Sequence, residues 1–110
     1  MTVGEKSSMA TLIQYLQDPR LTVRVYGGLL LRGMGIEARA ALPALLQLRQ
    51  SEDVHDRRLA AMILGSLAND LAEAVPPLLN ALHDEDETVR RLGAEALEEM
   101  VPADRWVRAA

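Results

Sequence analysis

No cysteine occurs among the 110 residues of this chain, which excludes disulfides, thiolate metal sites and cysteine nucleophiles at once. No apolar run approaches the roughly 20 residues that span a bilayer. Residues 1–10 also lack the apolar stretch of a secretory signal, so the expectation is a cytoplasmic protein with no membrane partner. An excess of positive charge is missing too: 12 Lys and Arg stand against 16 Asp and Glu, for a net charge of −4. Phosphate binding needs a concentrated positive surface, so this balance speaks against a nucleic-acid partner. What is present is 49% apolar residues beside 25% charged ones, a composition that excludes a disordered chain. The length suits one domain that buries roughly two thirds of its unfolded surface.

The strongest internal signal is self-similarity at a shift of 33 residues without gaps. Met9, Leu42 and Val75 share a column, as do Leu12, Leu45 and Leu78, and Ile13, Leu46 and Leu79. Further columns are Asp18, Ser51 and Asp84; Arg24, Arg57 and Arg90; Tyr26, Leu59 and Leu92; Gly27, Ala60 and Gly93; and Leu31, Leu64 and Leu97. A period in this range is the mark of a solenoid. The organisation expected is a polar N-terminal arm (1–8), three repeats (9–41, 42–74, 75–100) and a C-terminal capping tail (101–110).

Within each unit the apolar spacing is helical. In unit one, Leu12, Ile13 and Leu16 form a short stripe and Val23, Tyr26, Gly27, Leu30 and Met34 a longer one, following i, i+3, i+4, i+7 rather than a period of two. Between them, Asp18 supplies a cap and Pro19 fits the first turn of the next helix. Unit three loads carboxylates onto the same place with Asp84, Glu85, Asp86 and Glu87, where the helix end is positive. Each unit therefore reads as a helical hairpin, and no strand is expected. Ser7 or Ser8 caps the first helix, and Pro43 and Pro76-Pro77 start the first helices of units two and three. The linkers 36–41 and 69–74 are short connectors, and Asp70 with Glu73 has the spacing of a capping box. Gly27 and Gly28 each cost a helix about 1 kcal/mol relative to Ala. Their column is small in every unit, which favours close helix approach over the competing reading of a hinge.

Arg24, Arg57 and Arg90 edge the apolar stripes beside the acidic turns. An arginine fork suits a carboxylate or carbonyl of its own or the next unit, so these three, with Asp18 and Asp84, are read as inter-repeat residues rather than as an anion site. The residues Ala74-Val75-Pro76-Pro77-Leu78-Leu79, Leu82-His83-Asp84-Glu85-Asp86, Val89-Arg90-Arg91 and Ala94-Glu95-Ala96-Leu97, with Ala41-Leu42-Pro43-Ala44-Leu45-Leu46, resemble HEAT-like repeats of the type first recognised in phycobilisome bilin lyases. Unit one lacks the Val-Pro pair before Leu12, and unit two has Asp56 where Val is usual. The resemblance implies an all-α fold: a right-handed α-solenoid of three helical hairpins, an α-α superhelix whose second helices line a concave surface.

On the second helices, columns that change between copies are expected to face outward. These are Thr22, His55 and Thr88; Val25, Arg58 and Arg91; Leu29, Met62 and Glu95; and Arg32, Gly65 and Glu98. Their spacing of i, i+3, i+7, i+10 is one helical face, and three such faces make a groove. Val25, Leu29, Arg32, His55, Arg58, Met62, Arg91 and Glu95 are the candidate partner-binding residues. The groove runs from an apolar to a charged end and suits an amphipathic helix or extended peptide; the plainer reading is that Val25 and Leu29 are ordinary exposed aliphatics. Residues 1–40 carry 5 basic and 3 acidic groups and residues 71–110 carry 4 and 9, so opposite ends of the stack favour weak head-to-tail self-association or orient a partner; solvated faces are the plainer reading. Trp106, the one tryptophan, folds over the last apolar face as a cap or anchors a partner.

Catalytic chemistry finds no support. His55 and His83 lie 28 positions apart without the local ligand partners of a metal site, and the acidic run lacks the glycine and distal glutamate of a calcium loop. Ser51 and Ser66 have no neighbouring histidine base, and the stretch 27–35 has no lysine to make it a phosphate loop. The expectation is a non-enzymatic, cofactor-free module that binds a protein or peptide on its concave face. The alternatives are an accessory subunit of a bilin or cofactor lyase, suggested by the resemblance, and a HEAT-like nucleic-acid binder, which the negative charge disfavours.

Overall fold

Three hairpins follow one another through residues 8–100, the part of the chain described by this computed structural model. They are α1 (Met9–Leu16) with α2 (Leu21–Leu31), α3 (Leu42–Arg49) with α4 (Val54–Leu67), and α5 (Val75–Ala81) with α6 (Glu87–Met100). Short 3₁₀ segments, Gly35–Ala41 and Ala72–Ala74, link the hairpins. Among the described residues there is no strand. The second helices stack on one another as α2, α4 and α6, with the first helices packed along one side. The result is an α-solenoid of 54 × 30 × 17 Å. The tail that carries Trp106 and the first seven residues, Ser7 among them, lie outside the described residues.

Each hairpin turn is built by one column. Asp18 Oδ1 accepts the Arg20 N–H at 2.8 Å, Ser51 Oγ that of Asp53 at 3.1 Å, and Asp84 Oδ1 that of Asp86 at 2.8 Å. Short polar side chains make such turns by bonding the backbone two residues on. The helix then starts after that second residue. Asp53 caps α4 through the His55 N–H at 2.9 Å, and Asp86 caps α6 through the Val89 N–H at 3.0 Å. In unit one the cap position holds Arg20, which has no oxygen to offer, and α2 has no side-chain cap. Pro19 therefore precedes the cap instead of occupying the first helical turn as expected; the Asp18 turn takes up that residue. Pro43 and Pro76 do lie in first turns, and Ser8 caps α1 through the Thr11 N–H at 3.2 Å.

The linkers turn differently. Gly35 has φ +58°, a conformation that glycine alone adopts without strain. Asp70 does not form the expected capping box. Its N–H still closes the end of α4 on the Leu67 carbonyl at 3.0 Å, which places it one residue ahead of the cap position, Leu71. Glu73 instead meets Arg39 of the other linker at 2.9 Å.

Leu12, Leu45 and Leu78 are each 0% exposed and run down the core as one column. The small column sets how near the helices come. A Cβ on Gly27 would stand 2.7 Å from Tyr15 Cβ, and one on Gly93 would stand 3.0 Å from Ala81 Cβ and from the Leu78 carbonyl oxygen. Tyr15 and Ala81 are two periods apart, so both glycines mark the same crossing inside a hairpin. Gly28 marks the crossing between hairpins, where a Cβ would stand 3.0 Å from Leu59 and 3.1 Å from Ile63. Close packing, not hinging, is the role of the pair. Some apolar columns do not reach the core: Leu46 and Leu79 are exposed, as are Tyr26 and Leu30 of unit one, although the stripe pattern counts all four as inward-facing. Leu46 and Leu79 lie on the outer face of the first helices, and among the described residues no further hairpin packs over Tyr26 and Leu30.

Gly27→Ala should destabilise the chain by about 1–3 kcal/mol through overpacking, outweighing the helix preference of Ala. Gly33, with nothing within 4 Å of its would-be Cβ, is the control. Gly33→Ala should leave thermal melting unchanged or raise it by the equivalent of about 0.5 kcal/mol. Circular dichroism melts of the two variants check the contrast.

Candidate functional site

The arginine column ties each turn to the helix after it and each unit to the next. Arg24 Nη1 donates to the carbonyls of Asp18 and Pro19, both at 2.9 Å. Arg57 Nη1 does the same one period on, to Ser51 at 3.0 Å and Glu52 at 2.9 Å. Arg90 Nη1 donates to the Asp84 carbonyl at 2.8 Å. The Nε of the first two crosses to the following unit: Arg24 to Asp56 at 2.8 Å and Arg57 to Asp84 at 3.0 Å. All four of these side chains are nearly buried. Charge-assisted bonds at such sites are stronger than neutral ones, and the fork serves a carbonyl and a carboxylate together where a lysine cannot.

Asp18 and Arg90, expected to join repeats, cross no boundary among the described residues. The Asp18 carboxylate is bound by Arg20 Nε at 3.1 Å and Nη2 at 3.2 Å, and that guanidinium, the foremost influence, draws its pKa down. The acceptor that pattern reading missed is Asp56. By analogy with Asp84, Arg24 should meet an acid at position 51, where this chain has Ser. The carboxylate has moved to Asp56, and Ser51 Oγ donates to its second oxygen at 2.9 Å. The signal was present in the alignment of units: one column loses an acid where its neighbour gains one.

A second bridge spans units two and three. Arg58 binds Asp86 in bidentate fashion, Nε at 3.0 Å and Nη2 at 2.9 Å. The hydrogen bond from Arg58 is the main cause, partly opposed by desolvation and aided by the Val89 N–H, that draws the Asp86 carboxyl from 3.8 to about 2. Arg58, expected on the partner-facing surface, is thus half-buried and engaged.

The second-helix face holds two adjoining grooves. One, of about 220 Å³, is lined by Leu21, Val25, His55, Arg58, Leu59, Met62 and Leu92. The other, of about 250 Å³, shares Met62 and Leu92 and adds Arg32, Ser66, Glu95 and Glu99 among its walls. Of the expected residues, Val25, His55, Arg58 and Met62 converge on the first, and Arg32, Met62 and Glu95 on the second. Leu29 and Arg91 are exposed beside them and line neither; Arg91 Nε lies 3.9 Å from Glu95. Val25 and Met62 are half-buried and rest on the core. Leu59 and Leu92 were missed because their column, shared with Tyr26, stays apolar, the pattern of core positions; Leu21, whose column runs on to Val54 and Glu87, was missed because it lies at the very start of its helix. A larger open depression, about 490 Å³, lies against the first hairpin turn. Of its polar walls, Arg24 and Ser51 are both already bonded to Asp56, and Asp18 to Arg20.

Residues 42–105 match the family model described as HEAT repeats, more than half of the chain. No curated protein matches the chain.

Two outcomes follow from the bridges. Asp56→Val leaves Arg24 without its carboxylate and should cost about 2–4 kcal/mol in urea unfolding. Adding Ser51→Asp should restore most of that loss, because Asp84 serves Arg57 from the equivalent position. In acid, a carboxyl whose folded pKa is lowered contributes stability that is complete above its unfolded pKa and lost as pH falls through the folded one. The contribution of Asp86 should therefore disappear between pH 3.8 and about 2. Asp86→Asn should flatten the stability profile over that window.

Proposed function

This chain belongs to the HEAT-repeat family, and we propose that it is a non-enzymatic module that binds a protein or peptide along the concave face of its second helices. HEAT repeats generally mediate protein–protein interaction. The observation that carries the reading is the pair of continuous grooves over Val25, Met62 and Leu92, floored by side chains that the core covers only in part. Covering such a floor contributes about 25 cal/mol for each Å² of apolar surface removed from water. The charged group beside the more apolar groove, Arg58, is paired in place with Asp86, so recognition there rests on shape and apolar contact more than on net charge. Each groove is smaller than the roughly 300–1,000 Å³ of an enclosed small-molecule pocket. Shallow, linked depressions fit successive side chains of a helix or extended segment better than a bulky cofactor.

With the wild-type chain as bait, a captured protein should lose at least about tenfold in affinity for His55→Glu with Met62→Gln. It should keep its affinity within about twofold for Leu46→Gln with Leu79→Gln on the opposite face. Isothermal titration calorimetry gives the affinities, and melting curves show that each variant is folded. Equal affinity for the groove variant and wild type contradicts the proposal.

A further inference from the structure

Two boundaries inside the solenoid show what a unit needs on each side. Leu59 and Ile63 close over Gly28 of the unit before and are 5% and 0% exposed. One period earlier, Tyr26 and Leu30 are 51% and 36% exposed. At the other end, Ala94 and Leu97 stand one period beyond Ala61 and Leu64, both 0% exposed, yet are only half-buried. The ionic ladder stops in the same two places. Arg24 and Arg57 each reach a carboxylate of the next unit, whereas Arg90, among the described residues, reaches only the carbonyl of Asp84. The Asp18 carboxylate, two periods before Asp84, meets among the described residues only the exposed Arg20. The two ends are the two halves of one more boundary, and their charges are complementary: residues 1–40 carry a net +2 and residues 71–110 a net −5.

We propose that a second copy of this chain stacks end to end on the first, with Tyr26 and Leu30 of one copy closing over Ala94 and Leu97 of the other. Continuing the 33-residue register sets Arg90 opposite Asp18 of the second copy, as Arg57 is opposite Asp84. It sets Tyr26 opposite Ala94, as Leu59 is opposite Gly28. It also sets Arg91 opposite Arg20, where the internal boundary has Arg58 and Asp86, and this one like-charge pair keeps the association weak. The contact is heterologous, so copies add in a row. It uses the ends of the stack and leaves the concave groove open, so it stands or falls separately from the proposed peptide binding.

Sedimentation equilibrium of the full chain, from about 10 μM to about 1 mM at low salt, tests this. The weight-average mass should rise with concentration for the wild type and stay monomeric for Tyr26→Glu. Arg90→Glu, an exposed change at the opposite end, should give the same loss and covers the case in which Tyr26→Glu fails to fold. Arg20→Asp should tighten association about tenfold by replacing the like-charge pair with an acid that Arg91 meets across the contact. Because the chain has no cysteine, Asp18→Cys mixed with Arg90→Cys and a short bismaleimide should give unlike pairs in excess over like ones. A flat monomer mass for both wild type and Arg20→Asp overturns the proposal. So does association that survives Tyr26→Glu and Arg90→Glu, or like pairs as frequent as unlike ones.

Discussion

The solenoid depends on a guanidinium that faces two ways. Arg24 and Arg57 each satisfy carbonyls of their own turn with Nη1 and a carboxylate of the following unit with Nε. Buried in this way, the charge is tolerable only while both sets of acceptors are present. The spacing of neighbouring units is held to hydrogen-bond distance at one end of every second helix. At that spacing the helix surfaces in contact must be small, and Gly28 against Leu59 and Ile63, or Gly65 against Ala96, meet the requirement.

The move of an acid from position 51 to position 56 shows how strict the requirement is and how it is met. What Arg24 needs is a carboxylate oxygen at one point in space, and either the turn or the following helix can deliver it. The turn still needs a short acceptor for the Asp53 N–H, and Ser51 provides that while also donating to Asp56. Two columns that vary together thus leave the three-dimensional arrangement unchanged.

The groove is a consequence of the same geometry. With units anchored at the turns, the second helices present Val25, Met62 and Leu92 side by side, partly covered and bridged at the rim by Arg58 and Asp86. Among the described residues, some positions that serve a boundary between two hairpins have no further hairpin against them. Tyr26 and Leu30 are exposed where their counterparts one period on, Leu59 and Ile63, are buried.

Periodicity made most of the fold legible. Hydrophobic spacing, prolines at N1–N2 of two helices and the acid or serine before each second helix are local properties of the chain, and local physics placed all six helices. Of the residues that the column comparison set outward, Val25, His55, Met62 and Glu95 line the grooves, whereas Gly65 packs against Ala96 of the next unit. What the residues alone did not decide are matters of partnership across units: that Arg58 is held by Asp86, that Asp56 answers Arg24, that Asp70 comes one residue too early to cap, and that Leu46 and Leu79 face water. The first two turn on distances between segments some 30 residues apart, and the last two on where α4 ends and on which face of a first helix meets a neighbour. A pattern of residue types records which groups seek a partner, while only the packed helices determine which of them come within reach.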